Sequence, residues 1–563
     1  MVLHLLARCW PKPTTPGADL RHAVSFLGWD VSPAIMVRAG NGLALVIGSG
    51  GALVAWLAPF SPGIVAWCFL AAFAVGARFL VTAGPELLAR LRRSAALGAA
   101  PELVVMAVLR MRLAPSPERA AAFAADASDG HLARSLAAHA RAGRTAGRSG
   151  LETFGEEWAS WFPALGRALG LVAAAGRESP ADRDRSLDRA LAAVLEGTEE
   201  RTREFAGSIR GPTTALYAFG VLLPTALVSL LPAGRASGLA VSTANVVVVY
   251  DVALPLVLLA ASTWLLSRRP VAFPTRAVGP GHPAVPDRQW LAAAAGLVAG
   301  GVTAVVTAVV LPPWTSLVAT PGIAVGVVLV VRYRPCEGVH ADVADREAGL
   351  ADVLSIVGRR VARGTSVERA IESAAAERDD ATGSLLARGA ARQARLGIGI
   401  ERAFLGPAGP LARVPSSRLR GVVTMLAVAA REGRPAGSAL RAMADHLDEL
   451  DRVERETRTA LRPVVGTLRS TGAYFGPLVG GATVALSGHL DPSSLPGNAS
   501  SGLAWLGPAV GGYVLALAVI LTTLSVGLDR GLEPALVASR VGTGLLAATA
   551  SFLGGYAVAA AVA

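Results

Sequence analysis

The feature that most constrains this chain is a series of apolar stretches, each long enough to cross a lipid bilayer. A transmembrane helix needs about 20 mostly apolar residues to span roughly 30 Å of hydrocarbon. Charged residues make up only 17% of the chain, whereas a soluble domain carries about a quarter. We therefore predict an all-α, polytopic membrane protein with about nine transmembrane helices. The nine stretches are Gly40 to Ala58, Gly63 to Ala83, Pro212 to Leu231, Val241 to Leu266, Trp290 to Leu311, Ser316 to Val331, Val464 to Leu486, Leu503 to Leu524 and Ala535 to Ala560.

The basic residues near the ends of these stretches predict the orientation of the chain. Arginine supplies almost all of the positive charge, since Lys12 is the only lysine. Basic residues next to a span stay in the cytoplasm. If nine spans alternate, one side of the membrane has only Arg235, and the other receives Arg8, Lys12, Arg21, Arg38, Arg90, Arg92, Arg93, Arg210, Arg268, Arg269, Arg332, Arg334, Arg462, Arg530 and Arg540. We expect a multi-pass protein of the cell (cytoplasmic) membrane, with the N-terminus in the cytoplasm and the C-terminus outside.

The predicted outer loop between spans seven and eight fits this orientation. Residues Gly488 to Ser501 contain no lysine or arginine. They include Asn498-Ala499-Ser500, an acceptor pattern for N-glycosylation. Asn498 is therefore a candidate glycosylation site.

The residues that carry most enzyme chemistry do not form recognisable patterns in this sequence. The eight histidines never recur four residues apart, and the three cysteines lack metal or redox spacing. A phosphate-binding loop that ends in Gly-Lys cannot form, because Lys12 lies between two prolines. The net charge of +12 is explained by topology-setting arginines. We expect no enzyme activity, metal, cofactor or nucleic-acid partner.

Two long polar stretches lie between the spans, and they are similar to each other. Ser116 to Ala120 matches Ser366 to Ala370, and Glu204 with Arg210 matches Glu456 with Arg462. The matches occur in one order at a nearly constant offset, which predicts a tandem, parallel repeat. The predicted units are membrane segments 1–83, 212–331 and 464–563, and cytoplasmic domains 84–211 and 332–463.

The cytoplasmic domains are predicted to be helical bundles. Leu350, Val353, Leu354, Val357 and Val361 recur at helical spacing. Ser116 and Ser366 are predicted N-caps, each followed by an acidic residue in the first turn. A long helix from Ala436 to Leu461, dense in both signs of charge, is expected to continue toward span seven.

Two ionisable residues and several glycine pairs fall within the predicted spans. Arg78 lies in span two and Asp251 in span four. Such residues are costly in lipid, and three alternatives stay open: a structural ion pair or snorkelled arginine, a partner contact, or an ion pathway. Three glycine pairs have the spacing that permits close helix packing: Gly296 and Gly300, Gly476 and Gly480, and Gly507 and Gly511.

Several motifs in the second cytoplasmic domain indicate a family. They are the stretch Gly364 to Ala370, a second stretch Gly397 to Ala403, an alanine-rich helix from Met425 to Arg431, and Arg455-Glu456 just before a span. Leu350 to Arg462 resembles the F domain of type II secretion and type IV pilus platform proteins. The first domain resembles a diverged copy, with Leu113-Ala114-Pro115 in place of the glycine motif. Two such domains with this many spans look like the archaeal branch, the platforms of archaeal adhesion pili and archaella.

The resemblance implies a non-enzymatic platform. Its cytoplasmic domains would bind a hexameric secretion or pilus ATPase, and its spans would receive pilin subunits within the membrane lipid. The candidate ATPase-contact residues are Glu118, Arg119, Glu204, Arg210, Glu368, Arg369, Glu456 and Arg462. The alternative for each is a helix-capping or topology-setting role. Other functional readings are a secondary transporter or channel, for which Asp251 lacks an acidic counterpart in span eight, and a membrane scaffold unrelated to pili. A homodimer is left open.

Overall fold

The computed structural model describes residues 2–57, 64–128, 130–224, 226–228, 230, 246–269, 278, 282–283, 285, 289–432, 436–488 and 506–562. These residues form helices, turns and bends, with no strand among them. The predicted all-α class is therefore confirmed. Arg235 and Asn498 lie outside the described residues, so the glycosylation site at Asn498 stays a prediction.

The described residues contain 23 α-helices and three π-helical segments. The helices before the middle of the chain are α1 Val2–Arg8, α2 Ala18–Leu27, α3 Pro33–Leu57, α4 Ile64–Leu97, α5 Ala100–Leu113, α6 Pro117–Ala127, α7 His131–Ala146, α8 Gly150–Ala159, α9 Pro163–Ala175, α10 Pro180–Ser208, α11 Arg210–Tyr217 and α12 Leu254–Ser267. The later helices are α13 Gln289–Val310, α14 Thr315–Ala348, α15 Leu350–Ala362, α16 Val367–Ala376, α17 Ala381–Leu396, α18 Ile400–Leu405, α19 Ser417–Glu432, α20 Ala436–Ser470, α21 Gly476–Gly488, α22 Leu506–Asp529 and α23 Pro534–Val562. The π-helical segments are π1 Ala218–Leu222, π2 Val248–Ala253 and π3 Thr471–Phe475.

Each predicted span overlaps a described helix, and several of these helices are apolar enough to cross a membrane. By length and composition, seven stretches of the described residues qualify: Ala74–Leu113, Pro180–Val228, Val248–Ser267, Gln289–Val310, Thr315–Ala362, Leu506–Asp529 and Pro534–Val562. A polytopic membrane protein is thus supported, and the count of nine stays a prediction. The first stretch includes α5, whose Leu103, Val108 and Leu109 are 0% exposed. Because α5 is buried by protein, its apolar character reflects a core position.

Two series of six helices follow one another in the same order along the chain. The first series is α5 to α10, and the second is α15 to α20. In both, a serine-capped second helix follows the first, and a long final helix leads toward a predicted span. The long helices α10 and α20 have 29 and 35 residues. Both are followed by a π-helical segment, π1 after α10 and α11, and π3 directly after α20.

The two helical series pack around one continuous apolar core. Leu103 and Met106 of α5 belong to the same buried cluster as Leu447 and Leu450 of α20. The approach is close at Gly421 of α19, where an added Cβ would lie 2.5 Å from Met106 Cε. Burying each large apolar side chain contributes about 1.5 to 3 kcal/mol. The two predicted bundles are therefore joined through their cores.

Two tyrosines donate hydrogen bonds to backbone carbonyls in and just after π1. A π-helical turn breaks the regular hydrogen-bond ladder, and a backbone carbonyl left free within lipid is costly. The Tyr513 hydroxyl of α22 donates to the carbonyl of Gly220 in π1. The Tyr250 hydroxyl of π2 donates to the carbonyl of Pro224 at 2.7 Å, and the two tyrosine rings form an edge contact at 5.9 Å. The π-helical geometry is thus supported by specific donors.

Candidate functional site

The two serine motifs form equivalent helix starts in the two series. The Ser116 hydroxyl accepts a hydrogen bond from the Arg119 backbone N–H, and the Ser366 hydroxyl accepts one from Arg369, each at 3.4 Å. These contacts confirm both predicted N-caps. They also fix the first turn, so that the adjacent acidic and basic side chains project from the body of the protein.

The four candidate contact residues in these first turns are accessible to a partner. Glu118, Arg119 and Arg369 are exposed, and Glu368 is half-buried. Their helices, α6 and α16, both contact α19. We call the two packed helical series, α5 to α10 and α15 to α20, the helical body. The structure therefore places the two pairs on the same helical body, at the starts of helices that contact α19.

The other four candidates lie on, or directly after, the long helices that lead toward the predicted spans. Glu204 on α10, Arg210 at the start of α11, and Glu456 and Arg462 on α20 are all exposed. Helices α10 and α20 contact each other. Glu456 pairs with Arg452 at 3.0 Å, one helical turn away. The eight candidates thus form two groups, one on the helical body and one near the membrane.

The segment Gly397-Ile398-Gly399 joins two helices of the second series. Gly397 follows the last residue of α17 with φ of 63°, a left-handed conformation that suits glycine. Gly399 is the N-cap of α18. The two glycines thus form a tight connection between α17 and α18. The described residues contain no group of three or more His, Cys, Asp or Glu side chains placed to hold a metal ion.

A polar cavity lies where the two helical series meet the membrane helices. Its volume is about 680 Å³, and residues of α5, α14, α19, α20 and the α22–α23 connection line it. Arg418 projects into this cavity, with Nη1 2.8 Å from Asp451 Oδ1 and Nη2 3.8 Å from Glu454 Oε2. Burial alone would lower the pKa of Arg418, but the carboxylates around it, with Glu347 the strongest, raise that pKa. Arg418 is therefore the cationic centre of a buried acidic cluster.

A second polar contact in the same cavity joins two distant segments of the chain. His340 Nε2 of α14 lies 2.6 Å from Glu533 Oε2, which precedes α23. The Glu533 side chain is 6% exposed, and its Oε1 accepts a hydrogen bond from the Val278 N–H at 3.1 Å. Nearby, Arg540 Nε lies 3.1 Å from Glu337 Oε1. These contacts hold α14 against the α22–α23 connection.

The two intramembrane ionisable residues have different surroundings. Arg78 is exposed on α4. Asp251 lies in π2 against α22, where a Cβ added at Gly512 would be 2.7 Å from Asp251 Oδ1. The ion pairs of the described residues do not include one between Arg78 and Asp251. The ion pair that the sequence left open is therefore not formed in this structure.

His446 offers a pH-dependent test of the packing between the two helical series. It lies on α20, where Arg112 and Asp188 approach from the first series and Asp445 and Glu449 from its own helix. Burial, assisted by Arg112, lowers the pKa of His446. Below about pH 6.5 the unfolded chain then binds more protons than the folded chain, so stability falls as the pH drops through that value.

We therefore expect the purified full chain to unfold at a lower temperature at pH 5.5 than at pH 7.5. His446→Gln should reduce this difference, because glutamine does not titrate. The measurement is thermal unfolding of the detergent-solubilised protein at both values of pH. His22→Gln, at an exposed position of α2, is the control and should keep the wild-type difference. An unchanged difference in the His446 variant would contradict the assignment.

Comparison with known proteins finds a family match in the second helical series. Residues 354–481 match the family model described as Type II secretion system (T2SS), protein F. The match begins in α15 and ends in α21, so it covers the second series and enters predicted span seven. No curated protein and no solved structure matches the chain. Proteins of the matched family are membrane platforms of type II secretion and type IV pilus systems. The match thus supports a type II secretion system F domain over residues 354–481.

Proposed function

We propose that this chain is the membrane platform of a type IV pilus or type II secretion-like machine of the archaeal type. In this role it couples a separate cytoplasmic ATPase to the insertion of pilin subunits into a fibre. The observation that carries the proposal is the F-family match over residues 354–481. Because the match continues from the helical body into a membrane helix, it supports a role in which the two parts act together.

A duplicated F domain is part of this proposal. Helices α6 and α16 begin at residues 117 and 367, α7 and α17 at 131 and 381, and α8 and α18 at 150 and 400, a constant offset of 250 residues. Both series end in a long helix followed by a π-helical segment. The family match covers the second series alone. The shared helix order supports a tandem origin for the first.

The long helices provide a physical route for coupling. Helix α20 has 35 residues, and at a rise of 1.5 Å per residue it is about 50 Å long. It packs against α15 in the helical body and leads directly into π3 and α21. A displacement of the helical body would therefore move the start of predicted span seven. The predicted cytoplasmic N-terminus would place this body on the side where ATP is available.

The exposed first turn of α16 provides the sharpest test of ATPase contact. We expect the exchange Glu368→Arg with Arg369→Glu to lower ATPase retention on the full chain about tenfold, because like charges would then face each other across the contact. The exchange keeps the net charge of the chain. It also keeps the Ser366 cap, because that contact uses the backbone N–H of residue 369 and neither exchanged side chain. The measurement is the amount of the hexameric ATPase that co-purifies with the affinity-tagged, detergent-solubilised chain.

The matched control is Glu372→Arg with Arg388→Glu. Both residues are exposed on α16 and α17, and neither is a candidate contact. This control should retain the ATPase and support surface filaments, whereas the test variant should lose filaments while pilins are still made. Equal retention by the two variants would assign Glu368 and Arg369 a local structural role. Solute transport by the purified wild-type chain, without ATPase binding, would contradict the platform function itself.

A further inference from the structure

An arginine pocket lies beside the ends of two predicted spans, next to the cavity around Arg418, with which it shares the lining residues Phe205 and Arg269. We define it by Arg90 and Arg93 of α4, Arg201 of α10, and Arg268 and Arg269, which follow α12. Its volume is about 510 Å³. We propose that this arginine pocket binds the phosphate-bearing headgroup of an anionic membrane lipid.

The first argument is the charge of the pocket. Five guanidinium groups line it, and Glu204 supplies the one carboxylate among the lining residues. Within the part of the chain that the structure describes, none of the five arginines forms an ion pair. Glu204 acts on Arg201 and Asp529 acts on Arg269 without direct ion pairing, so positive charge stays in excess in the pocket. Gathering such an excess of like charge partly out of water is costly. An anion in the pocket would remove this cost.

The second argument is that Arg93 and Arg201, both half-buried, are held in place by aromatic rings and backbone. The Arg93 guanidinium lies 4.7 Å from the centre of the Phe26 ring and 4.2 Å from that of Trp161. Arg201 lies 4.7 Å from the Phe162 ring and donates to the Trp161 carbonyl. The buried Nε of Arg93 has no hydrogen-bond partner among the described residues. The pocket therefore offers preorganised N–H donors, and the described residues leave at least one of them without an acceptor.

Arg269 is the most enclosed arginine of the pocket. Its Nη2 reaches the Asp529 carbonyl at 3.4 Å, and its own carbonyl accepts a hydrogen bond from Ser94 at 2.8 Å. Burial, opposed by the Asp529 carboxylate and assisted by Arg458, lowers the pKa of Arg269 to about 10. Arg269 therefore stays charged at neutral pH and would gain from a bound anion.

The position of the pocket favours lipid as the source of the anion. Helices α4 and α12 contain parts of predicted spans two and four, and four of the five arginines follow those spans in the chain. Basic pockets at this level of a membrane protein meet anionic headgroups. Trp264, whose ring lies 4.1 Å from the Arg268 guanidinium, is a typical interfacial residue. A lipid bound here would tie α10 to spans two and four, beside the route from the helical body to span three.

The experiment is thermal unfolding of the full chain in detergent with added phosphatidylglycerol or cardiolipin. We expect these lipids to raise the unfolding temperature, whereas phosphatidylcholine, inorganic phosphate and ATP do not. The test variant, Arg90→Gln with Arg268→Gln, removes two exposed charges of the pocket. It leaves in place Arg93 and Arg201, which contact the aromatic rings of the helical body. Each basic residue contributes roughly 1 kcal/mol to the binding of anionic lipid. Loss of two should therefore raise the lipid concentration that gives half of the maximal rise in unfolding temperature about 30-fold.

The matched control is Arg92→Gln with Arg334→Gln. Both residues are exposed near span ends but do not line the pocket, so this variant should keep the wild-type response to anionic lipid. Equal weakening in both double variants would show a general surface-charge effect and overturn the proposal. Stabilisation of the wild type by inorganic phosphate or ATP, lost in the Arg90 and Arg268 variant, would assign the pocket to a soluble phosphate compound instead.

Discussion

Replacement of Arg418 by glutamine is expected to destabilise the full chain by about 3 to 5 kcal/mol, the usual cost of removing one partner from a buried ion pair. Glutamine carries no charge, and it would leave Asp451 and Glu454 facing Glu347 without the central cation. The side chain of Arg418 is only 20% exposed, so solvent can screen little of the resulting repulsion. The measurement is denaturant unfolding of the detergent-solubilised chain, followed by tryptophan fluorescence.

Two further variants separate this effect from a general loss of charge. Arg420→Gln changes an exposed position on the same helix and should alter stability by no more than about 0.5 kcal/mol. Adding Asp451→Asn to the Arg418 variant should recover part of the loss, because it removes one of the opposed carboxylates. Equal stability of the Arg418 and Arg420 variants would show that the acidic cluster does not depend on its cation.

Local features of the fold could be predicted from the sequence because they depend on neighbouring residues. Ser116 and Ser366 cap helices through contacts three residues away, and such contacts leave a recognisable pattern. The long helix α20 follows from the periodic apolar residues and from the lack of glycine and proline between Gly437 and Pro463. The tight connection at Gly397 follows from glycine itself. These features require no knowledge of which helices meet in space.

The polar cavity could not be predicted, because its residues come from distant parts of the chain. Glu102 and Arg418 are separated by 316 positions, and the chain order of charged residues does not show which ones converge. The same limit applies to the arginine pocket. The sequence identifies four of its arginines only as topology signals, and that role requires no more than that they lie on one side of the membrane: Arg90, Arg93, Arg268 and Arg269. Their convergence on one cavity depends on how α4, α10 and α12 pack.

The sequence predicts that membrane helices pack closely, but it does not predict which helices pack against each other. The spacing of Gly296 and Gly300 indicated close approach, and added Cβ atoms there would lie 2.3 Å from Val328 Cγ2 and 3.0 Å from Ala324 Cβ of α14. Gly507 and Gly511 similarly face Trp314 and Val318. The sequence did not identify these partners. It also gives no signal for a close approach of two backbones, which joins α21 to α23.

The contact between α21 and α23 is reciprocal and leaves no room for side chains. A Cβ added at Gly555 would lie 2.3 Å from the Leu478 carbonyl oxygen, and one added at Gly481 would lie 2.0 Å from that of Phe552. Backbone atoms cannot rotate away as a side chain can, so the two helices would have to separate. Small residues at such crossings are what permit membrane helices to approach closely.

We therefore expect Gly555→Leu to destabilise the detergent-solubilised chain by at least about 3 kcal/mol, and Gly555→Ala by about 1 to 3 kcal/mol. The adjacent Gly554 is the matched control, since it is exposed on the same helix and a Cβ there meets nothing within 4 Å. Gly554→Ala should be neutral or stabilise the chain by up to about 1 kcal/mol, because alanine favours a helix over glycine. Denaturant unfolding of the single variants should thus give effects of opposite sign at neighbouring positions. A Gly555→Ala variant at least as stable as the wild type would show that α23 does not pack backbone to backbone against α21. Because the family match ends within α21 at residue 481, the same variants also test whether the membrane end of the F domain depends on α23 for its position.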